Sequence, residues 1–182
     1  LGGEVSRQIR HLILYAGAIN RNAGFWLSHD MEQLPAQFLA KLHMLYDSQA
    51  INYAPDNITG GFGTFVETLS DATEVYGLYP VMSHLHADVI EKRATGGVGF
   101  EIIISDGIAE FLLTGRYQER IKNLQQAHDI CVYRTHEPLA FALTVTDSSL
   151  LLNMYTKGTR LFDCNPVLIG SDPAALEWGA DL

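Results

Sequence analysis

The sequence predicts an α/β fold: a mixed sheet whose parallel βαβ core is extended by a C-terminal antiparallel meander, with helices on both faces and a connecting helix at the N-terminus. Three observations predict it. Val98-Gly-Phe-Glu-Ile-Ile-Ile-Ser105 is short, β-branched and free of proline. It carries apolar residues on both alternating faces, as a strand covered on both sides does. Upstream, Glu74–Tyr79 alternates as a strand and His84–Ala94 repeats at helical spacing. Strand, helix and strand within about 30 residues make a βαβ unit with parallel neighbours. Downstream, Ala140–Thr146, Leu150–Tyr155 and Arg160–Asp163 read as strands whose connections are too short for anything but antiparallel pairing. Residues 98–105 are expected to be the central strand.

In residues 3–22, Val5, Ile9, Leu12, Ile13, Ala16 and Ile19 recur at spacings of three and four, the stripe of one helix. It must pack on the rest of the chain or on another chain, and a connecting or dimerising helix over 1–23 is the expected use. Residues 24–30 should break that helix. Pro35 then stands where a new helix begins, with Leu34, Phe38, Leu39, Leu42 and Leu45 as its apolar face. Ala50–Tyr53 is a short strand, and Asp56 or Asn57 can cap a helix carrying Ile58, Phe62, Phe65, Val66 and Leu69. Gly60, Gly61 and Gly63 weaken its first turn, each costing up to ~1 kcal/mol against alanine. Gly96 and Gly97 end the helix before the central strand. Ser105 and Asp106 can cap the next helix, which Gly115 interrupts before a second stripe of Tyr117, Ile121 and Leu124. Ile130–Tyr133 is a further strand. Asp172-Pro173 supplies an N-cap and a proline at the first position of a closing helix over Ala174–Leu182.

The chain has 182 residues, 47% apolar and 18% charged, with a net charge of −9. An acidic surface repels phosphate backbones, which argues against direct nucleic-acid binding by this segment. Cys131 and Cys164 stand far apart, with neither zinc spacing nor a disulfide framework, as expected of buried thiols in a reducing cytoplasm. No apolar run reaches the roughly 18 residues of a membrane span, and no signal peptide is present. Beginning at Leu1, the sequence is expected to be part of a longer protein.

His84-Leu-His86-Ala-Asp88 holds the densest titratable residues, but on a helix the two imidazoles point apart, so no metal site is expected. Phosphoryl transfer of the phospholipase type would want lysine at position 86 and a second copy of the motif. Ser105 lacks the glycine-flanked elbow of a nucleophilic serine. It does stand where a strand ends and a helix begins, the edge at which open α/β sheets bind ligands, and Tyr79 and His84 belong to the same edge. Thr144, Thr146, Asp147, Arg160 and Asp163 supply polar groups on the meander. The ligand contacts expected are Tyr79, His84, Ser105, Asp147 and Asp163, with no catalytic set, no metal and no cofactor.

Four stretches, in order, carry a resemblance over residues 24–182. They are Phe25-Trp-Leu-Ser-His-Asp-Met with Leu34-Pro35, Thr144-Val-Thr-Asp-Ser-Ser-Leu150, Gly158-Thr-Arg-Leu-Phe-Asp163, and Leu168-Ile-Gly-Ser-Asp-Pro-Ala-Ala-Leu-Glu-Trp-Gly179. They resemble the motifs of archaeal winged-helix transcription regulators that carry the methanogenesis-regulator middle domain. Phe162 departs from that pattern, in which tyrosine is usual, and the last helix stops before its usual aromatic end. The resemblance implies a cytoplasmic sensor domain over 24–182 that binds a small-molecule effector. It would reach DNA only through a winged helix that these residues do not contain; a homodimer is expected from the N-terminal helix. Two other functions compete: a hydrolase or phosphoryl-transfer enzyme working near His84 and Ser105, and a dimerisation module without a ligand.

Overall fold

The computed structural model describes residues 2–112, 116–127, 129–159 and 161–180. Among them, seven strands form one sheet: β1 (Gln49–Ile51), β2 (Glu74–Tyr79), β3 (Gly99–Ser105), β4 (Ile130–Thr135), β5 (Phe141–Thr146), β6 (Leu150–Met154) and β7 (Val167–Gly170), in the order β1-β7-β6-β5-β2-β3-β4. β2, β3 and β4 are parallel, in register through Tyr76, Glu101 and Cys131. All other pairings are antiparallel, including β2 with β5. Strand β2 is therefore where the sheet changes from parallel to antiparallel.

The helices are α1 (Gly2–Arg21), α2 (Ala23–Ser28), α3 (Ala36–Ala40), α4 (Gly60–Thr68), α5 (His84–Thr95), α6 (Asp106–Leu112), α7 (Arg116–Ala127) and α8 (Pro173–Gly179). They cover two faces. On one, α4, α5, α6 and α7 lay Phe65, Leu69, Ile90, Ile108, Leu112 and Tyr117 over Val75, Tyr79, Phe100, Ile102 and Ile104. On the other, α2, α3, the 3₁₀ turn Leu42–Leu45 and α8 pack Phe25, Trp26, Phe38, Leu45 and Trp178 against Leu143, Leu152 and Leu168. Each fully buried side chain of this kind contributes about 1.5–3 kcal/mol.

Several expectations need correction. Residues 98–105 form the middle strand of the parallel trio, one place from the sheet edge, while β5 is central. The second helical layer covers the antiparallel half only. Phe100, Ile102 and Ile104 are buried, but on the reverse face Glu101 and Tyr133 are exposed and Ile103 half-buried. Of the strand expected over Arg160–Asp163, Arg160 lies outside the described residues, and Leu161–Asp163 is not a strand: Phe162 makes one isolated bridge to Tyr155. The third meander strand is β7, reached after a cis Asn165-Pro166 bond. Its short apolar run before Asp172 reads equally as a lead-in to the last helix. The N-terminal break falls at Asn22 rather than at 24–30, because the Asn22 amide donates to the Ser48 carbonyl (2.9 Å) and accepts from the Ala50 amide (2.8 Å). The chain turns there to meet β1 and resumes as α2. Helix α4 begins after Thr59, so neither Asp56 nor Asn57 caps it. Gly115 lies outside the described residues.

Other expectations hold. Asp172 Oδ1 accepts from the Ala174 and Ala175 amides at 3.0 and 3.2 Å and caps α8. Gly97, at φ +95°, ends α5 by donating to the Ala94 carbonyl at 2.9 Å, in backbone geometry that favours glycine. In α1, only the C-terminal part joins the domain. Ala18 is buried, Arg21 lies 4.2 Å over the Tyr46 ring, and His11 stacks on His43 at 4.6 Å. Val5, Ile9, Leu12 and Ile13 stand 52–70% exposed.

Candidate functional site

The parallel-to-antiparallel switch leaves a hollow. After Tyr79, the chain leaves the sheet through Pro80–Ser83 to start α5, while β5 and β6 continue the sheet beside it. A cavity of about 360 Å³ opens there, within the size range of small-molecule sites and at the place where open α/β sheets hold ligands. Its floor is Tyr79, Ala142, Thr144, Leu151 and Asn153. Phe62 and Phe65 of α4 form one wall, Ser83 and His86 at the start of α5 another, and Phe162 with Cys164 a third. Residue 61 must be small here: a Cβ on Gly61 would lie 2.3 Å from the Cys164 carbonyl oxygen. Gly61, one of the glycines that weaken α4, thus lets the helix close on the Cys164 backbone.

Charge is suppressed along this wall. The Tyr79 and Thr144 hydroxyls are hydrogen-bonded at 3.1 Å, and burial pushes the phenol up to about 12. His86 Nδ1 meets the Ser83 hydroxyl at 2.6 Å, and the ring leans on Phe65 and Phe62 at 4.9 and 5.1 Å. Burial holds its imidazole below the usual histidine range. The Ser83 amide also donates to Nδ1, at 3.4 Å, which leaves the proton of the neutral ring on Nε2. Against expectation, Cys131 and Cys164 are both exposed rather than buried, though partial desolvation against the cavity wall, and secondarily Asp163, pushes the Cys164 thiol up.

The expected contacts are not gathered in one place. Tyr79 is on the cavity floor. His84 is not among the lining residues: its Nδ1 pairs with the Tyr117 hydroxyl at 2.6 Å, with the two rings stacked. The Ser105 hydroxyl donates to the Pro80 carbonyl at 3.3 Å, bracing the β2–α5 connection from behind. Among the described residues, His84 and Ser105 share no hydrogen bond. Asp147 is at the opposite end of β2, where its carboxylate accepts from the Thr73 amide (2.9 Å), the main cause of its lowered pKa. Asp163 stands between two lining residues, Phe162 and Cys164. Its Oδ1 accepts from the Asn165 amide at 2.9 Å, and its Oδ2 lies 3.6 Å from His29 Nε2. His29 is 1% exposed, and its Nδ1 donates to the Phe25 carbonyl at 2.7 Å. A buried side chain therefore joins the cavity wall to α2, which follows α1 directly. Asp88 serves an ion pair with Arg120 at 2.9 Å. No group of three or more histidines, cysteines and carboxylates that could hold a metal occurs among the described residues, and none of their helices is long and apolar enough to cross a membrane.

Sequence reasoning missed Ser83, Asn153, Cys164, Phe62 and Phe65 as lining residues. The pairing of Ser83 with His86 was open to it, since a serine before a helix and a partner three residues on is the spacing of a capping pair.

Fold and cavity together define a mixed α/β domain with a ligand-sized hollow at its switch strand. The family profile described as methanogenesis regulatory protein FilR1, middle domain, matches residues 61–182, and the chain belongs to that family. It is 24% identical over 163 residues to the methanogenesis regulatory protein FilR1 of Methanothrix harundinacea (strain 6Ac), covering 87% of this chain and 36% of that protein. The chain thus spans about a third of that relative's length. Among solved structures, TrmBL2, an archaeal chromatin protein described as showing a novel mode of DNA binding, superposes with a TM-score of 0.57 at 13% identity. That match covers 74% of this chain and 48% of TrmBL2, and at such low identity it shows the fold alone.

Proposed function

We propose that this chain is the signal-sensing domain of a cytoplasmic transcription regulator, acting by binding rather than by catalysis. A small effector fills the switch-strand cavity, and the 155–165 loop passes its presence through Asp163 and His29 to α2 and α1. DNA contact would be made by a winged helix outside these residues. The observation that carries this reading is the cavity itself, whose wall loop meets, at Asp163, a buried histidine anchored to α2. For the effector to switch anything, it must bind one loop arrangement better than the other.

Thermal-shift screening against a metabolite panel tests the reading. A true effector at 100 times its Kd adds about 2.7 kcal/mol of stability, and its effect should vanish in Ala142→Phe, which fills the floor. Hits that survive this substitution would move the site elsewhere.

We also propose a homodimer formed through the exposed stripe of α1. Sedimentation should show a dimer for the native chain and a monomer for Ile9→Glu/Leu12→Glu, with the thermal unfolding of the domain little changed, since both residues are more than half exposed. A dimer that persists in the double variant would exclude this helix as the interface.

A further inference from the structure

Resting on the reading of the switch-strand cavity as the effector site, we infer that its ligand is an uncharged, planar, ring-bodied molecule, and that acids and amines of the same shape are rejected. None of the described lining residues is Asp, Glu, Lys or Arg. The titratable groups that do line it are held in their neutral forms at neutral pH: the Tyr79 phenol and Cys164 thiol are pushed up by burial, the His86 imidazole down. A charge entering this space would lose its hydration without gaining a counterion. The walls suit a flat ring. Phe62, Phe65 and His86 cluster with centroids 4.9–6.4 Å apart, and Phe162 closes the far side.

Two apolar side chains are left open at the mouth, Ile58 at 90% and Val81 at 42% exposure. A ligand body reaching the mouth would cover them. Polar recognition falls to a few neutral groups. Asn153 donates its amide to the Asp163 carbonyl at 3.3 Å, which leaves Oδ1 as an acceptor, and the neutral His86 ring offers an N–H.

Calorimetric titration with indole, indole-3-acetate and tryptamine separates the possibilities, because the three share a ring system and differ in charge. Indole is expected to bind the native chain roughly tenfold or more tightly than either charged analogue. It should lose as much in Ala142→Phe. Asn153→Asp is nearly isosteric and places a carboxylate on the floor, so there the preference should turn toward tryptamine. This gain is one that a misfolded variant cannot produce. If indole-3-acetate or tryptamine binds the native chain as well as indole does and Ala142→Phe still blocks it, the charge rule is overturned while the cavity stands as the site. Indole binding unaffected by both substitutions would overturn the cavity as the site, and the inference with it. Failure of all three probes to bind would overturn the ring-bodied class and leave the cavity to the metabolite screen.

Discussion

Trp178→Ala is expected to lower the unfolding free energy by about 3–5 kcal/mol, a large share of the 5–15 kcal/mol that a domain of this kind commands. The side chain is 0% exposed, sits edge-on to Phe38 at 4.8 Å, and donates its indole N–H to the Phe38 carbonyl at 3.0 Å. That bond spans 140 residues. It holds α8 and α3 together on the outer face of the antiparallel strands. Alanine removes the ring volume and one of the two donors to the Phe38 carbonyl, which keeps the Lys41 amide at 3.2 Å. Trp178→Phe keeps most of the volume and gives up only the hydrogen bond, so it should cost about 0.5–1.5 kcal/mol. Urea titration of both variants with an unchanged m-value is the check. Equal losses in the two variants would mean that the hydrogen bond, rather than the packing, dominates.

The same helix shows what the sequence makes legible. An aspartate before proline fixes the start of α8 by a local rule, and local rules account equally for α5, β2, β5 and β6. What lies outside them is set by distant partners. β7 is a strand because Leu168 and Ile169 find edges to pair with on both sides, in β6 and β1, and nothing in its own four residues says so. The bare reverse face of β3 is equally hidden: Ile103 reads as buried, and only the placement of the second helical layer leaves it half-open.

For the site, the rule that strand ends hold ligands picks out Tyr79, but Asp147 does not share that end of the sheet. β5 runs against β2, pairing Val75 with Thr146 and Leu78 with Leu143. The turn that follows it, with Asp147, must therefore lie at the far end of the sheet. That much could be deduced from the predicted topology. His84 and His86 illustrate the opposite case. Two residues apart on one helix, they face different seams, one toward Tyr117 and one toward the cavity, and choosing between them requires knowing which helix packs where.

The second large effect is expected where the cavity wall meets the N-terminal helices. His29→Ala should cost about 2–4 kcal/mol, chiefly through the volume lost from a buried site, with the loss of one of the two donors to the Phe25 carbonyl, the Ser28 hydroxyl at 3.0 Å being the other, adding a smaller part. Asp163→Asn alone should cost less, because its Oδ1 can still accept from the Asn165 amide. What distinguishes a working link from ordinary packing is the coupling between them. With Nδ1 committed to the Phe25 carbonyl, Nε2 has no hydrogen-bond partner in the described structure and faces a carboxylate oxygen at 3.6 Å. That contact is attractive only with a proton on Nε2, so removing the carboxylate's charge should change what the imidazole contributes. A double-mutant cycle in urea unfolding should return a coupling of about 0.5–3 kcal/mol, and additivity would show that the two residues act independently. Stability alone does not establish a relay. Hydrogen exchange in α2 supplies the further test: an effector found by the metabolite screen should slow exchange there in the native chain. It should fail to do so in Asp163→Asn while still binding the cavity. If α2 responds to the effector equally in both, the signal takes another path, and the buried histidine only holds the loop in place.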